Sequence, residues 1–354
     1  MAKKQSEPAE MYLRGADGLP LLKYFNILQN RYKIQKCFAT NCVCEYFDKT
    51  PPWINTVDDE IRPLPSSSFH STSLPVIVPF TAQFPSNAQP DFTEIDSCTS
   101  LIRLESGSPL LSQKASLWNH CSPSSDDILD LDCKCVLIAS MTPRSDSFET
   151  LLYTFTELRK RGKKVIAVSS NPNVALLDNM YYFPSSFLSE SQDINYALAK
   201  WNAYLKAIQK KEYPDILLVE VPGVLMKSDL TGNHYLGIEA YAISQVLTPD
   251  YAICCAPINL YREEFWKRFN SVAKHKFGFP INAVQVSNLI VNPKMNIEAE
   301  DRYLRTSQTV INPRSLPSQS SILFFDVQTG GCCDHLIDNL VACIERETAG
   351  EILL

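Results

Sequence analysis

The chain has 354 residues, of which 45% are hydrophobic and 20% charged, and its formal net charge is −6. These fractions are typical of a globular protein with a large core and exclude a disordered chain. The acidic balance argues against nucleic-acid binding as the main function. The first ten residues contain two lysines with no apolar segment behind them, and no stretch approaches the roughly 20 apolar residues that cross a bilayer. We therefore expect a cytoplasmic protein that does not bind membranes.

Twelve cysteines are present, far fewer than in a disulfide-rich scaffold. Without an export signal, their thiols are expected to be reduced. Three local clusters occur: Cys37, Cys42 and Cys44; Cys133 and Cys135; Cys332 and Cys333. None of them has the spacing of a structural zinc site, so we predict no metal site. The sequence does not indicate which cofactor, if any, the protein binds.

Proline and serine are concentrated between residues 50 and 125. Such stretches are typical of loops and surface excursions. Short strands are predicted over Lys33–Ala39 and Pro75–Phe80, so residues 1–130 are interpreted as an irregular, Ser/Pro-rich α/β region.

From residue 131 onward, buried strands alternate with amphipathic helices. The apolar run Cys135–Ser140 predicts a strand buried on both faces. Asp146 is a candidate N-cap with Glu149 three residues on, and Gly162 is a helix stop. The next strand is predicted over Val165–Ser169. This is a complete β-α-β unit.

The same alternation continues to the C-terminus. Further strands are predicted over 216–221, 251–256, 283–290 and 322–327. The helical stripes between and after them are Ile194, Leu198, Trp201, Leu205 and Ile208; a segment near 236–247; Phe265, Phe269 and Val272; and Leu336, Leu340 and Ile344. Right-handed crossovers pair such strands in parallel. The predicted fold of residues 131–354 is therefore an α/β domain with a mostly parallel sheet and helices on both faces, Rossmann- or flavodoxin-like, with a subdivision near residue 210 as an alternative.

Ligands of open α/β sheets bind beyond the carboxyl ends of the strands, which directs attention to the segments that follow each strand. The segment from Glu220 through Gly223 to His234 is long and polar. It is either a binding loop or a surface connection in which the glycine only makes a turn. His234 and Gly237 form HxxG, but Gly232 stands where a corrinoid-binding pattern has Asp, so that match is partial.

Two other segments follow strands. Asn259 is interpreted first as a helix cap and second as a cleft residue, and Arg262 is a candidate for binding a carboxylate or phosphate. The segment 328–335 contains a Gly-Gly turn, and Cys332, Cys333 and His335 form a candidate thiol site at a helix start. No GxxxxGK[ST], GxGxxG or GxSxG pattern occurs in the chain.

The region from Ile216 to Asn288 contains a series of short segments that together form a recognisable pattern: Val221-Pro222-Gly223, Asn233-His234, Gly237-Ile238, Ala240-Tyr241, Ile243-Ser244-Gln245, Pro249-Asp250-Tyr251-Ala252-Ile253, Pro257, Asn259, Phe277-Gly278-Phe279 and Ser287-Asn288. In these residues the region resembles the clostridial peptide maturation-system proteins that are encoded beside radical SAM enzymes and short Cys-rich precursor peptides. Leu131–Val168 and, more loosely, Asn26–Ala39 are also similar, whereas residues 45–125 depart from the family, which is richer in glycine there. The resemblance implies a role in ribosomal peptide natural-product (RiPP) biosynthesis and does not imply a known reaction.

Three functions remain open at this point. The first is an accessory protein that binds the precursor peptide, the radical SAM maturase or both, as a homo- or hetero-oligomer, with a cleft in which Asn233, His234, Tyr241, Gln245 and Asn259 cluster. The second is an enzyme that uses His234 as acid/base, oriented by Glu220 or Glu239. The third is a nucleotide- or corrinoid-binding domain, suggested by the architecture alone. The full set of candidate binding residues is Gly223, Asn233, Tyr241, Ser244, Gln245, Asn259, Arg262, Ser287 and Asn288.

Overall fold

The structure is a computed structural model of the chain. It describes residues 7–13, 20–21, 23–24, 32–40, 54–57, 76–78, 101–103, 108–123, 128–143, 145–188, 193–226, 237–260, 263–292, 303–305, 322–327 and 333–351. The chain divides into two compact units, Met1–Lys114 with Pro172–Met180, and Ala115–Asn171 with Tyr181–Leu354. The first division between the units therefore falls between Lys114 and Ala115, earlier in the chain than residue 130, where the composition changes.

The first unit contains a five-stranded parallel sheet. Its strands are β1 (Glu7–Leu13), β2 (Tyr32–Thr40), β3 (Ile54–Val57), β4 (Val76–Val78) and β5 (Leu101–Arg103), and helix α1 (Pro109–Lys114) follows. The strand order is β3-β2-β1-β4-β5, and each pairing is parallel. Both strands predicted for this region are present, as β2 and β4, and both belong to this parallel sheet.

The second unit is a larger α/β sandwich. Its strands are β6 (Lys134–Ser140), β7 (Val165–Ser169), β8 (Met180–Tyr182), β9 (Ile216–Glu220), β10 (Tyr251–Pro257), β11 (Ala283–Ser287), β12 (Leu289–Val291), β13 (Tyr303–Arg305) and β14 (Leu323–Phe325). Its helices are α2 (Ser116–His120), α3 (Ser147–Lys160), α4 (Ile194–Glu212), α5 (Ile238–Ser244), α6 (Glu263–Phe277) and α7 (Cys333–Glu351).

Seven of these strands form one sheet in the order β14-β11-β10-β6-β9-β7-β8. The pairings from β14 to β7 are all parallel, in agreement with the predicted fold class. The first strand of the unit, β6, lies at the centre between β9 and β10. The chain places β7, β8 and β9 on one side of β6 and then β10, β11 and β14 on the other. The connections therefore reverse direction at β6.

Several residues of the predicted helical stripes lie in the core. Leu151, Phe155 and Leu158 of α3 are fully buried, and Gly162 ends this helix with a left-handed φ of 79°. In α4, Trp201 and Leu205 are also fully buried. No helix among the residues that the structure describes is both long and apolar enough to cross a membrane.

Four local predictions were wrong. Ile194 was placed in the buried stripe of α4, but it is the first residue of that helix and is 53% exposed. Asp146 stands at the N-cap position of α3, but its left-handed φ of 61° turns its side chain away from capping the helix amides. Val272 is 53% exposed, because Ala273 takes the inward position on α6. The strand predicted over 283–290 is divided at Asn288, after which β12 pairs antiparallel with β13 in a separate two-stranded sheet.

Candidate functional site

The carboxyl end of β6 is the topological switch point of the second sheet. In open α/β sheets this is where ligands bind, because the loops on either side diverge and leave a crevice. The segment that follows β6 runs from Met141 to Asp146 and leads into α3. From the sequence this segment was interpreted only as the start of a helix, so the centre of the crevice was missed.

Glu220, the last residue of β9, is buried at the switch point. The hydroxyl of Ser147 donates to its Oε1 at 2.7 Å, and the hydroxyl of Ser169, at the end of β7, donates to its Oε2. Burial raises the pKa of Glu220, and the two serine hydrogen bonds oppose that rise without cancelling it. A carboxyl group in such a setting holds its proton above the usual pH range and satisfies the physical criteria for an acid/base group.

Asp146 forms a second polar contact at the same edge. Its Oδ2 accepts a hydrogen bond from the hydroxyl of Ser287, at the end of β11. The same hydroxyl accepts the backbone N–H of Leu289 at 3.2 Å. Asp146 thus ties the start of α3 to the turn after β11, and Ser287, one of the predicted binding residues, lies at the switch-point edge.

The segment from Ser140 to Ser147 has the spacing of a phosphate-binding loop but lacks its chemistry. In the pattern GxxxxGK[ST], two glycines let the backbone approach the phosphates, and the lysine pairs with them. Ser140 and Ser145 stand at the two glycine positions, and Asp146 stands at the lysine position. Ser147 alone keeps the hydroxyl of the last position, which here binds Glu220. A sequence pattern that allows serine at the two glycine positions and aspartate at the lysine position, directly after a buried strand, would have identified this loop.

The start of this loop is occupied by the protein itself. The backbone N–H of Met141 donates to the carbonyl of Cys255 at 2.7 Å. The N–H groups of Leu225 and Met226 donate to the carbonyls of Ser140 and Met141 at 2.8 and 3.2 Å. The buried hydroxyls of Thr142 and Ser145 lie 2.9 Å apart and bond to each other. The N–H of Met141 and the hydroxyls of Thr142 and Ser145 are therefore already bonded within the protein.

Gly223 and Glu239 lie against each other beside this edge. Gly223 has a left-handed φ of 73°, and a Cβ at this position would lie 2.8 Å from Oε2 of Glu239. Oε2 is buried and has no hydrogen-bond partner. The left-handed φ favours glycine here, and the structure brings these two predicted site residues together.

The predicted clustering of Gln245 with Asn259 was wrong. Gln245 lines a cavity with Lys134, Ile216 and Asp250, which lie at or just before the amino ends of strands. Asn259 follows the carboxyl end of β10, a strand of seven residues that spans roughly 20 Å. Helix α5 returns along the sheet and carries its last residues to the opposite edge. Tyr241 on this helix is 48% exposed, and the hydroxyl of Ser244 donates to its carbonyl at 2.7 Å.

The side chain of Asn259 has a structural partner. Its Nδ2 donates to the carbonyl of Val291 at 2.8 Å, and its Oδ1 accepts the N–H of the same residue at 3.3 Å. The amide thus joins the short 3₁₀ helix Ile258–Leu260 to β12. Asn288 occupies the bend between β11 and β12. His234, Asn233 and Arg262 lie outside the described residues, so their predicted roles stay predictions.

The candidate thiol site at the start of α7 does not have the geometry of an activated thiol. Cys333 is 5% exposed, and its Sγ donates to the carbonyl of Asp326 at 3.1 Å. His335 points to solvent, and Cys332 lies outside the described residues. Within the described ranges, no group of three or more His, Cys, Asp or Glu side chains is arranged to hold a metal ion.

Comparison with known proteins identifies no family. No family model and no curated protein matches the chain. Among solved structures, a DUF1611 family protein from Anabaena variabilis is similar at 11% identity over 78% of this chain and 87% of its own, with a TM-score of 0.44. The signal recognition particle receptor FtsY from Elizabethkingia anophelis (10% identity, 50% and 56% coverage, TM-score 0.32) and a GTPase from Pyrococcus abyssi (14%, 60% and 96%, 0.31) are also similar. At these scores the likenesses carry no argument about function.

Proposed function

We propose that this chain is an accessory binding protein in the maturation of a ribosomally synthesised peptide, acting in the cytoplasm with a radical SAM maturase. The resemblance over Ile216–Asn288 supports the pathway. The structural observation that supports a binding role is the carboxylate of Asp146 at the switch point, in the position where a phosphate-binding loop has lysine.

The chemistry of this edge favours a peptide over a nucleotide. Phosphates carry negative charge and are bound by backbone amides and a cation, whereas the charged group at this edge is the carboxylate of Asp146, and the carboxyl group of Glu220 is buried against two serine hydroxyls. A peptide offers amide N–H donors and cationic groups, which hydroxyls and carboxylates bind well. The polar edge therefore suits a precursor peptide as ligand.

A binding experiment tests this proposal. The full chain is mixed with the tagged precursor peptide and with the maturase, singly and together, and the dissociation constants are measured. Asp146→Ala should weaken peptide binding about tenfold or more, because a charge-assisted hydrogen bond contributes roughly 1.5–3 kcal/mol. Asp338→Ala is the matched control, since Asp338 is 68% exposed and bonds Arg161 on the surface. No complex at micromolar concentrations, or equal affinities of the two variants, would contradict the proposal.

A second candidate function is an enzyme that uses His234 as acid/base with Glu220 or Glu239 beside it. The raised pKa of buried Glu220 favours this alternative, because such groups concentrate at catalytic sites. The test is product formation in a reconstituted pathway. His234→Ala should abolish it if the chain is the enzyme and leave it unchanged if the chain only binds.

The nucleotide- or corrinoid-binding alternative is tested by thermal-shift measurements with nucleoside triphosphates and cobalamin. The replaced lysine and the internally bonded loop lead us to expect no shift with nucleotides. A rise in melting temperature that depends on nucleotide concentration would favour that alternative over peptide binding.

A further inference from the structure

Two cysteines stand close together at the amino edge of the second sheet. Cys133 is half-buried and lies in a bend, and Cys135 is the second residue of β6 and is 2% exposed. The Sγ of Cys135 lies 3.7 Å from the carbonyl oxygen of Cys133, so its thiol is directed back toward the preceding cysteine.

The surroundings make the two thiols unequal. A hydrogen bond from the Cys135 thiol lowers the pKa of Cys133, and the ammonium group of Lys206 acts in the same direction. That hydrogen bond and burial raise the pKa of Cys135 well above its usual value. Lys206 is held in place by hydrogen bonds to Asp132 at 2.9 Å and Gln209 at 3.2 Å. A half-buried cysteine whose pKa is lowered, beside a buried cysteine whose pKa is raised, is the arrangement of an attacking and a resolving cysteine.

The more exposed of the two cysteines is reached through a large cavity. Cys133 and Cys135 line a cavity of about 1300 Å³, together with Asp132, Asp250 and Gln245. Asp250 anchors the cavity wall, because its Oδ2 accepts the N–H of Cys135 at 2.6 Å and its Oδ1 pairs with Lys134 at 3.0 Å. A cavity of this size admits a small disulfide or an extended peptide segment.

We propose that Cys133 and Cys135 form a thiol–disulfide exchange pair that acts on small or peptidyl disulfides entering this cavity. The Cys133 thiolate attacks one sulfur of the substrate disulfide, so that a mixed disulfide forms, the substrate S–S bond breaks and one substrate thiolate leaves and takes a proton from solvent. Cys135 then loses its proton to solvent and attacks the sulfur of Cys133. The Cys133–Cys135 disulfide forms, the mixed disulfide breaks and the second substrate thiolate leaves. The protein dithiol is oxidised and the substrate disulfide is reduced.

The oxidised pair returns to its starting state by the same chemistry. A thiol reductant attacks the Cys133–Cys135 disulfide and regenerates the dithiol. The pair lies at the edge opposite Glu220 and Ser287, so this inference stands apart from the proposed function.

Mass spectrometry of the full chain tests the inference. The reduced protein is incubated with oxidised glutathione or with a cystine-containing peptide, quenched with acid, alkylated and digested with a protease that leaves Cys133-Lys134-Cys135 intact. In the wild type, Cys133 and Cys135 should lose two hydrogen atoms together and escape alkylation. Half-buried Cys121 and Cys343 should remain alkylated.

Single substitutions separate the two roles. Cys135→Ser should accumulate an adduct on Cys133, because the resolving thiol is missing, and Cys133→Ser should give neither an adduct nor a disulfide at Cys135. Cys121→Ser is the control and should behave as the wild type, since burial raises the pKa of Cys121. If Cys133→Ser fails to fold, two measurements still test the inference: the adduct on Cys135→Ser and the alkylation rates of the wild-type cysteines. In the wild type, Cys133 should be alkylated at least about tenfold faster than Cys121.

The two substrates distinguish the source of the disulfide. A rate with the cystine peptide at least about tenfold above that with glutathione assigns a peptidyl substrate, and similar rates assign a small disulfide. The inference is overturned if neither compound oxidises the pair, or if the Cys135→Ser variant carries no more adduct on Cys133 than on Cys121.

Discussion

Asn202 offers the sharpest test of how the second unit is held together. This residue of α4 is 1% exposed and bonds two separate segments. Its Nδ2 donates to the carbonyl of Leu129 at 3.0 Å and to that of Val246 at 3.2 Å, and its Oδ1 accepts the N–H of Leu129 at 2.9 Å. Leu129 and Val246 both line the cavity beside Cys133. One buried amide therefore fixes two walls of that cavity.

The effect of Asn202→Ala follows from these contacts. Each hydrogen bond contributes about 1 kcal/mol net, and a buried group left without a partner costs roughly 1–3 kcal/mol. The backbone of Leu129 lies in an exposed segment and regains water, whereas the carbonyl of Val246 is buried and does not. The free energy of unfolding should therefore fall by about 2–4 kcal/mol.

Urea denaturation followed by tryptophan fluorescence measures this change, because Trp118, Trp201 and Trp266 are all buried in the second unit. Asn195→Ala is the control, since Asn195 lies on the same helix with an exposed side chain. A loss below about 1 kcal/mol, or one equal to that of the control, would refute the reasoning.

Three other predictions concern the site and the core. Gly223→Ala should destabilise the protein by about 1 kcal/mol more than Gly162→Ala, because both positions have left-handed φ but only the first approaches a carboxylate; equal losses in urea denaturation would contradict this. Burial raises the pKa of Glu220 above 4.5, so the folded state holds a proton that the unfolded state has lost, and stability falls as the pH rises between the two pKa values. Glu220→Gln should flatten that part of the plot of unfolding free energy against pH. An unchanged slope would argue against a raised pKa of the Glu220 carboxyl group. Val272→Ala should change the free energy of unfolding by less than about 0.5 kcal/mol, whereas Ala273→Leu should lower it by roughly 1–3 kcal/mol, because only Ala273 faces the core. If thermal melts showed the larger loss for Val272→Ala, Val272 would be the inward residue, as the sequence predicted.

The sequence predicts local elements well because their signals are local. The strands Cys135–Ser140 and Val165–Ser169 are continuous apolar runs, and both were found within one residue of their predicted bounds. The α4 stripe was also confirmed at Trp201 and Leu205, which are fully buried. The parallel fold class then follows, because strands that alternate with helices pair through right-handed crossovers.

The switch-point site could not be predicted in this way. Periodicity shows that a strand is buried but not which strand lies beside it, so the central place of β6 was not visible. Asp146 and Ser287 meet although 141 residues separate them, and Gln245 is parted from Asn259 although only 13 residues intervene.

The sequence by itself determined most of the long strands and helices of the second unit and that these strands pair in parallel. Only the tertiary structure decided the strand order, the partners of Asp146 and Glu220, and the gathering of Cys133, Asp250 and Gln245 around one cavity. The physical reason is that hydrophobic burial is non-directional: it selects the faces that leave water, whereas long-range packing selects the neighbours that those faces meet.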